Sequence, residues 1–99
     1  MIARQWRGAA QSKHAQRYVQ HLRTEILPAL RKPPGFVDAS ILSRALGNGI
    51  EFLVVTRWKS QDAIAGFAGT DPETAVVPVE VAAMMVESDR RATHFEVIE

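Results

Sequence analysis

The stretch Gly47-Asn48-Gly49-Ile50-Glu51-Phe52-Leu53-Val54-Val55-Thr56-Arg57-Trp58 decides the fold. Its first three residues signal a tight turn, because Asn and Gly tolerate the positive φ angles that short hairpins demand. The residues after them are rich in β-branched and aromatic types, which favour strand. Phe52-Leu53-Val54-Val55 is apolar at consecutive positions, so this strand is expected to lie centrally with both faces covered. Before the turn, Phe36 to Leu46 lacks a helical stripe and reads as the partner strand. After Trp58, Ser60 is placed to cap a helix over Gln61 to Ala68, with Ala63, Ile64 and Phe67 as its apolar members.

Upstream, Lys32-Pro33-Pro34-Gly35 breaks any regular structure. From a cap at Ser12 to Leu30, the residues Ala15, Tyr18, Val19, Leu22, Ile26 and Leu30 recur at spacings of three and four, the helical period. Pro28 is expected to kink or end this helix. Ile2 to Gly8 reads as a first strand, with Ile2 and Trp6 on one face, Ala3 on the other and Gly8 at its end. Downstream, residues 69–73 read as a loop. Val76 to Val86 stays undecided: Val76-Val77-Pro78-Val79-Glu80-Val81 favours strand, and Ala82-Ala83-Met84-Met85 favours helix. Ala92 to Ile98 is a last strand.

The order β-α-β-β-α-β is the ferredoxin-like plan: an α+β fold with an antiparallel sheet, in a single domain over residues 1–99. Right-handed crossovers put both helices on one sheet face. The other face has nothing in the chain to cover it. An exposed apolar face of roughly several hundred Å2 is rare in a monomer, so a homodimer that stacks two sheets is expected.

Composition narrows the function classes. Lys plus Arg number 12 against 11 Asp plus Glu, a formal charge of +1, without the basic excess of a nucleic-acid domain. No apolar run approaches the roughly 18–20 residues of a membrane span, and the start lacks a signal-peptide core, so a cytoplasmic protein with no membrane partner is expected. The chain has no cysteine, which excludes disulfides, thiolate nucleophiles and cysteine-ligated metal centres. The RNA-recognition module shares this element order, but Ile50 to Arg57 holds one aromatic and an acid where that module stacks bases.

The ordered set Ile2-Ala3-Arg4-Gln5-Trp6-Arg7-Gly8, Pro34-Gly35-Phe36, residues 51–60 running into residues 63–69, and Thr93-His94-Phe95-Glu96-Val97 resembles the antibiotic biosynthesis monooxygenase family of dimeric α+β barrels. The resemblance implies a homodimer with a pocket between sheet and helices in each subunit. It implies one of several activities, among them cofactor-independent oxygenation of aromatic polyketides and haem degradation. The haem-degrading relatives place an Asn on the first strand, a Trp in the second helix and a His shortly after it. Here Gln5 is the nearest amide, Phe67 holds the Trp position and Val77 the His position, so haem degradation is disfavoured and no cofactor is expected.

For oxygenation of a phenol- or hydroquinone-like substrate, the catalytic candidates are His21, Tyr18 and Arg57. The binding candidates are Trp6, Trp58, Phe67, Met84, Met85 and His94. A His near its ordinary pKa of about 6.5 can take an acidic substrate proton. Trp and Met build apolar walls. His14, Tyr18 and His21 share a helix face, but two His seven residues apart lie roughly 10 Å apart along the axis, too far to chelate one ion. No metal site is expected. The same fold without catalysis, as a small-molecule-binding or structural dimer, is the competing reading.

Overall fold

The structure is a computed structural model that describes residues 1–69, 75 and 78–99. Strand β1 spans Ile2–Gln11, β2 Phe36–Leu46 and β3 Gly49–Trp58, followed by the short β4 Met85–Ser88 and β5 Thr93–Glu96. They form one antiparallel sheet in the order β2-β3-β1-β4, with β5 also paired to β1. Helix α1 is Ala15–His21, α2 Leu27–Leu30, α3 Gln61–Ala68 and α4 Val79–Met84. The ferredoxin-like plan holds, with β3 inside the sheet as expected.

The hairpin closes through Gly47-Asn48, with Leu46 opposite Gly49. Gly47 takes φ +59°, and no residue other than glycine has a positive φ among the described residues. Gly47 alone therefore supplies the left-handed step of this turn. Ser60 caps α3 as expected, its Oγ accepting from the backbone N–H of Ala63 at 3.3 Å.

Two local expectations are corrected. First, β1 does not stop at Gly8: Ala9 and Ala10 continue the ladder opposite Glu51 and Ile50. The length of β3 sets the length of its partner. Second, Ser12 is not a cap. Its hydroxyl donates to the Asn48 carbonyl at 2.5 Å and ties the end of β1 to the hairpin. A single 3-10 turn, Ser12–His14, then leads into α1. The last strand is Thr93–Glu96, within the expected Ala92 to Ile98, and a further short strand precedes it. Within the undecided segment, Val79–Met84 is helical and Met85–Ser88 is strand, while Val76 and Val77 lie outside the described residues.

Asp89 bridges the break between β4 and β5. Its N–H donates to the Arg7 carbonyl at 2.9 Å. Its Oδ2 accepts from the Arg7 N–H at 3.1 Å, in the place of a ladder carbonyl.

Between α1 and α2, Leu22–Ile26 form a π-helical turn. Pro28 explains it: proline has no N–H to donate four residues back, and its ring crowds that carbonyl. The widened turn has a packing benefit. In an ideal α-helix each four-residue step rotates a stripe by about 40°. Tyr18, Leu22 and Leu30, all buried, stay on one stripe because the wide turn absorbs part of that drift.

The even-numbered residues of β1 and β3 face the helices. Ile2, Trp6, Phe52 and Trp58 are buried there, in two apolar clusters completed by Tyr18, Leu22, Val81, Met84, Leu30 and Ile64. The odd-numbered residues form the open face. It is not uniformly apolar, which corrects the sequence reading. Leu42 and Phe95 are half exposed and Leu46 is exposed, but a charged row crosses the sheet beside them. Glu51 accepts from Arg44 Nε at 2.5 Å and from Arg7 Nε, and Arg7 Nη2 donates to Glu87 at 2.9 Å. No helix among the described residues is long and apolar enough to cross a membrane.

Candidate functional site

Between the sheet and the helices lies a cleft. From β1 it takes Arg4 and Trp6, and from β3 Val54 and Thr56. The helical side supplies Tyr18, Leu22, Ile26 and Leu30, then Phe67 of α3 and Val81 of α4 with Pro78. Strand alternation puts Arg4, Trp6, Val54 and Thr56 on one face, and the four-residue stripe of the long helix supplies the opposite wall. Counted out to its mouth the cleft holds about 480 Å3. Only about 40 Å3 of that admits the centre of a water molecule, room for roughly three waters at 10–15 Å3 each. A wider depression at the hairpin end, beside Ala10, Ser12 and Val86, has no aromatic lining.

Trp6 and Thr56 are each held in the cleft by hydrogen bonds. Trp6 Nε1 donates to the Asp89 carbonyl at 2.9 Å, which fixes the indole as a wall. Tyr18 packs edge-on to Phe52, ring centroids 4.9 Å apart, and lies 6.3 Å from Trp6. Burial pushes its phenol pKa above the ordinary value of 10, so Tyr18 is neutral at physiological pH and can donate a proton in a hydrogen bond. Thr56 Oγ1 accepts from Trp58 Nε1 at 2.8 Å, and its proton points to the Arg4 carbonyl at 3.4 Å. The Arg4 side chain is buried, its guanidinium 5.6 Å from the centre of the Phe67 ring. Desolvation draws its pKa below the ordinary value.

Of the candidates named from sequence, Trp6, Tyr18 and Phe67 meet in the cleft. Trp58 is fully buried beside it, between Phe36 and Phe67. Met84 is buried in the cluster with Trp6 and Tyr18, and Met85 packs on that cluster. His94 is half-buried on β5 opposite Arg4. His21 follows Tyr18 along the helix outside the cleft lining, and its Nε2 is buried without a hydrogen-bond partner. Arg57 is on the open face, paired with Asp38 at 2.8 Å. Arg4 is the residue that sequence reading missed, although its place between Ile2 and Trp6 on an alternating strand carried the signal.

The donor set bears on haem. Among the described residues the cleft is lined by no His, Cys or Met, and its one oxygen ligand of the haem-protein kind, Tyr18, is held protonated. The described lining residues offer no His, Cys or Met to an iron-bound macrocycle. Gln5, the first-strand amide, is on the open face, and Val77 lies outside the described residues. Among the described residues, no group of three His, Cys, Asp or Glu is arranged to hold a metal.

The fold is shared with solved structures. A Bacillus cereus protein assigned to the antibiotic biosynthesis monooxygenases superposes with a TM-score of 0.71 at 17% identity, covering 100% of this chain and 93% of that one. A monooxygenase of Streptomyces coelicolor, solved with nanaomycin D, gives 0.66 at 17% identity over 99% and 88% of the two chains. A heme-degrader of Mycobacterium tuberculosis, with two hemes in its active site, gives 0.58 at 18% identity over 98% and 96%. No curated protein matches the chain. The sequence model of the antibiotic biosynthesis monooxygenase family matches residues 1–77, more than half of the chain, and this protein belongs to the antibiotic biosynthesis monooxygenase family.

Proposed function

We propose that the protein is a cytoplasmic homodimeric monooxygenase that oxidises a small hydrophobic aromatic molecule in this cleft without a cofactor. The observation that carries the reading is an aromatic cleft, walled by Trp6 and Phe67, that opens onto the neutral hydroxyl-bearing Tyr18. An anthrone-like substrate would lose an acidic proton to give an electron-rich anion. That anion reacts with dioxygen at carbon. One oxygen atom stays as the new carbonyl, and the other leaves as water with the two hydrogens lost from that carbon. Apolar walls exclude water from the intermediate, and Tyr18 hydrogen-bonds the substrate oxygen. His21 lies outside the cleft lining, so as the proposed proton acceptor it would take the proton by way of a bridging water. Phe67 and Trp58 set the width of the cleft, and Met84, Met85 and His94 support its walls. Arg57 belongs to the sheet-to-sheet contact.

Leu42, Leu46 and Phe95 on the open face support the homodimer. Light scattering at micromolar concentration should give twice the chain mass, and a monomer would remove this part of the reading. Oxygen uptake on a panel of anthrones and hydroquinones tests the chemistry. Turnover should fall in Tyr18→Phe and His21→Ala, and uptake no faster than the uncatalysed rate on every compound would refute it. The narrow free space favours one competing reading, a non-catalytic binding module of the same fold, which predicts ligand retention with no uptake.

A further inference from the structure

Strand β1 changes partner along one edge. Gly8 lies opposite Ser88 of β4, and Gln5 lies opposite Thr93 of β5. Residues 6 and 7 therefore face residues 89–92, two positions against four, so the second segment has to loop out. Asp89, the first residue of that loop, is half-buried and bonds Arg7 twice. Its backbone N–H donates to the Arg7 carbonyl at 2.9 Å, and its Oδ2 accepts from the Arg7 N–H at 3.1 Å. In an ordinary antiparallel pair a backbone carbonyl accepts that N–H. Here the carboxylate does so, which leaves the Asp89 carbonyl for another donor. It takes the Trp6 indole N–H at 2.9 Å. The indole has a second fixture. A Cβ at Gly8 would stand 2.5 Å from its Cη2 and 2.9 Å from its Cζ3, so the ring lies directly against that glycine.

We propose that Asp89 is a positioning residue for the cleft: its carboxylate frees its carbonyl to hold the Trp6 indole, and the held indole sets the affinity of the cleft for a flat aromatic molecule. This role rests on the cleft being a small-molecule site. It adds a determinant of affinity outside the lining, because Asp89 lines no part of the cleft and acts on a ligand only through Trp6. An alanine in its place keeps the backbone but loses the acceptor for the Arg7 N–H. Two donors, that N–H and the Trp6 indole N–H, then have the one carbonyl of residue 89 between them. An indole released from its anchor is a looser wall. It gives up more freedom when a ligand binds, and affinity falls, because a preorganised site has less left to order.

The test follows the indole N–H signals of the two tryptophans by NMR, assigned with Trp6→Phe. Trp58 is the internal reference, since its Nε1 bonds to Thr56 Oγ1 and not to Asp89. In Asp89→Ala, hydrogen exchange at the Trp6 indole should quicken relative to that at Trp58. The Kd of 2-naphthol, read from the Trp6 shift, should rise about threefold to tenfold, the worth of one hydrogen bond. Asp89→Asn keeps an oxygen that can accept from the Arg7 N–H and should restore both values. Equal quickening of the two indoles would assign Asp89 to the fold as a whole and overturn the positioning role. Selective quickening with unchanged 2-naphthol affinity would overturn it too, and leave the cleft reading standing. An Asp89→Asn no better than the alanine variant would overturn the part given to the side-chain oxygen. If 2-naphthol does not move the wild-type Trp6 signal, the cleft reading fails and this inference with it. Should Asp89→Ala not fold, Asp89→Glu, which displaces the carboxylate by one methylene, carries the same comparisons.

Discussion

Alkaline titration reads the environment of Tyr18 without any substrate. Tyr18 is the one tyrosine in the sequence, so the ultraviolet absorbance of ionised phenol reports it alone. It is 2% exposed and burial raises its pKa, whereas in the unfolded chain the same phenol ionises near 10. Between those two values the unfolded chain has released a proton that the folded chain still holds, so stability falls as pH rises. Below pH 10 this contribution is constant. Each pH unit in the interval costs about 1.4 kcal/mol, so roughly 2 kcal/mol disappears between pH 10 and 11.5, a large share of the 5–15 kcal/mol typical of a domain. Urea unfolding at a series of pH values, with Tyr18→Phe as baseline for the lysines, measures it. Wild type should lose stability more steeply than the variant above pH 10, and the phenolate band should appear together with loss of the circular dichroism signal. A reversible ionisation near pH 10 in the folded protein, or identical pH slopes for the two proteins, would refute the reasoning.

Other perturbations probe the walls of the cleft and the open face. Thr56→Val removes the acceptor of the buried Trp58 Nε1 and should cost about 1–3 kcal/mol in urea unfolding. In a Trp58→Phe background the same change should cost far less, and equal costs in both backgrounds would show that the bond does not couple them. A Cβ at Gly8 would stand 2.5 Å from Cη2 of Trp6, so Gly8→Ala should cost about 1–3 kcal/mol and shift the Trp6 indole signal. At Gly49 the clash is with the Ala10 carbonyl, also at 2.5 Å. Backbone yields less than a side chain, so Gly49→Ala should be the more damaging variant. Hydrogen bonds from Arg44 and then Arg7 hold the Glu51 carboxyl below its ordinary value of 4.5. Its contribution is present above that pH and lost as pH falls through the lowered value. Glu51→Gln should therefore flatten the acid limb of stability, and an unchanged acid limb would count against the charged row.

The sequence made the hairpin legible because Gly47-Asn48-Gly49 and the strand after it obey local rules: a turn needing positive φ, then β-branched residues. The α3 cap was legible for the same reason, since Ser60 and Ala63 are three residues apart. The end of β1 was not. Gly8 resembles a strand terminator, and only the long-range ladder with β3 carries β1 to Gln11. The break near Asp89 was hidden likewise, because its function depends on Arg7 and Trp6, more than eighty residues away in the chain. Within the site, Trp6, Tyr18 and Phe67 declared themselves by type. Arg4 did not, because a charged residue on a short strand reads as solvent-facing until its neighbours fix the face.

Strand β1 is where these features meet, and that has a mechanical meaning. Its even residues, Arg4 and Trp6, line the cleft. Its odd residues, among them Arg7, belong to the open face and its charged row. Asp89 holds the cleft side and the backbone at once: its carbonyl takes the Trp6 indole N–H, and its carboxylate takes the Arg7 backbone N–H in the plane of the sheet. A strand held in this way cannot rotate to suit its open face without disturbing the cleft, because adjacent side chains point to opposite sides of a single backbone. Anything that covers the open face through Arg7 therefore acts on the backbone that positions Trp6. In the proposed homodimer, assembly and the shape of the cleft would be set by the same ten residues of chain.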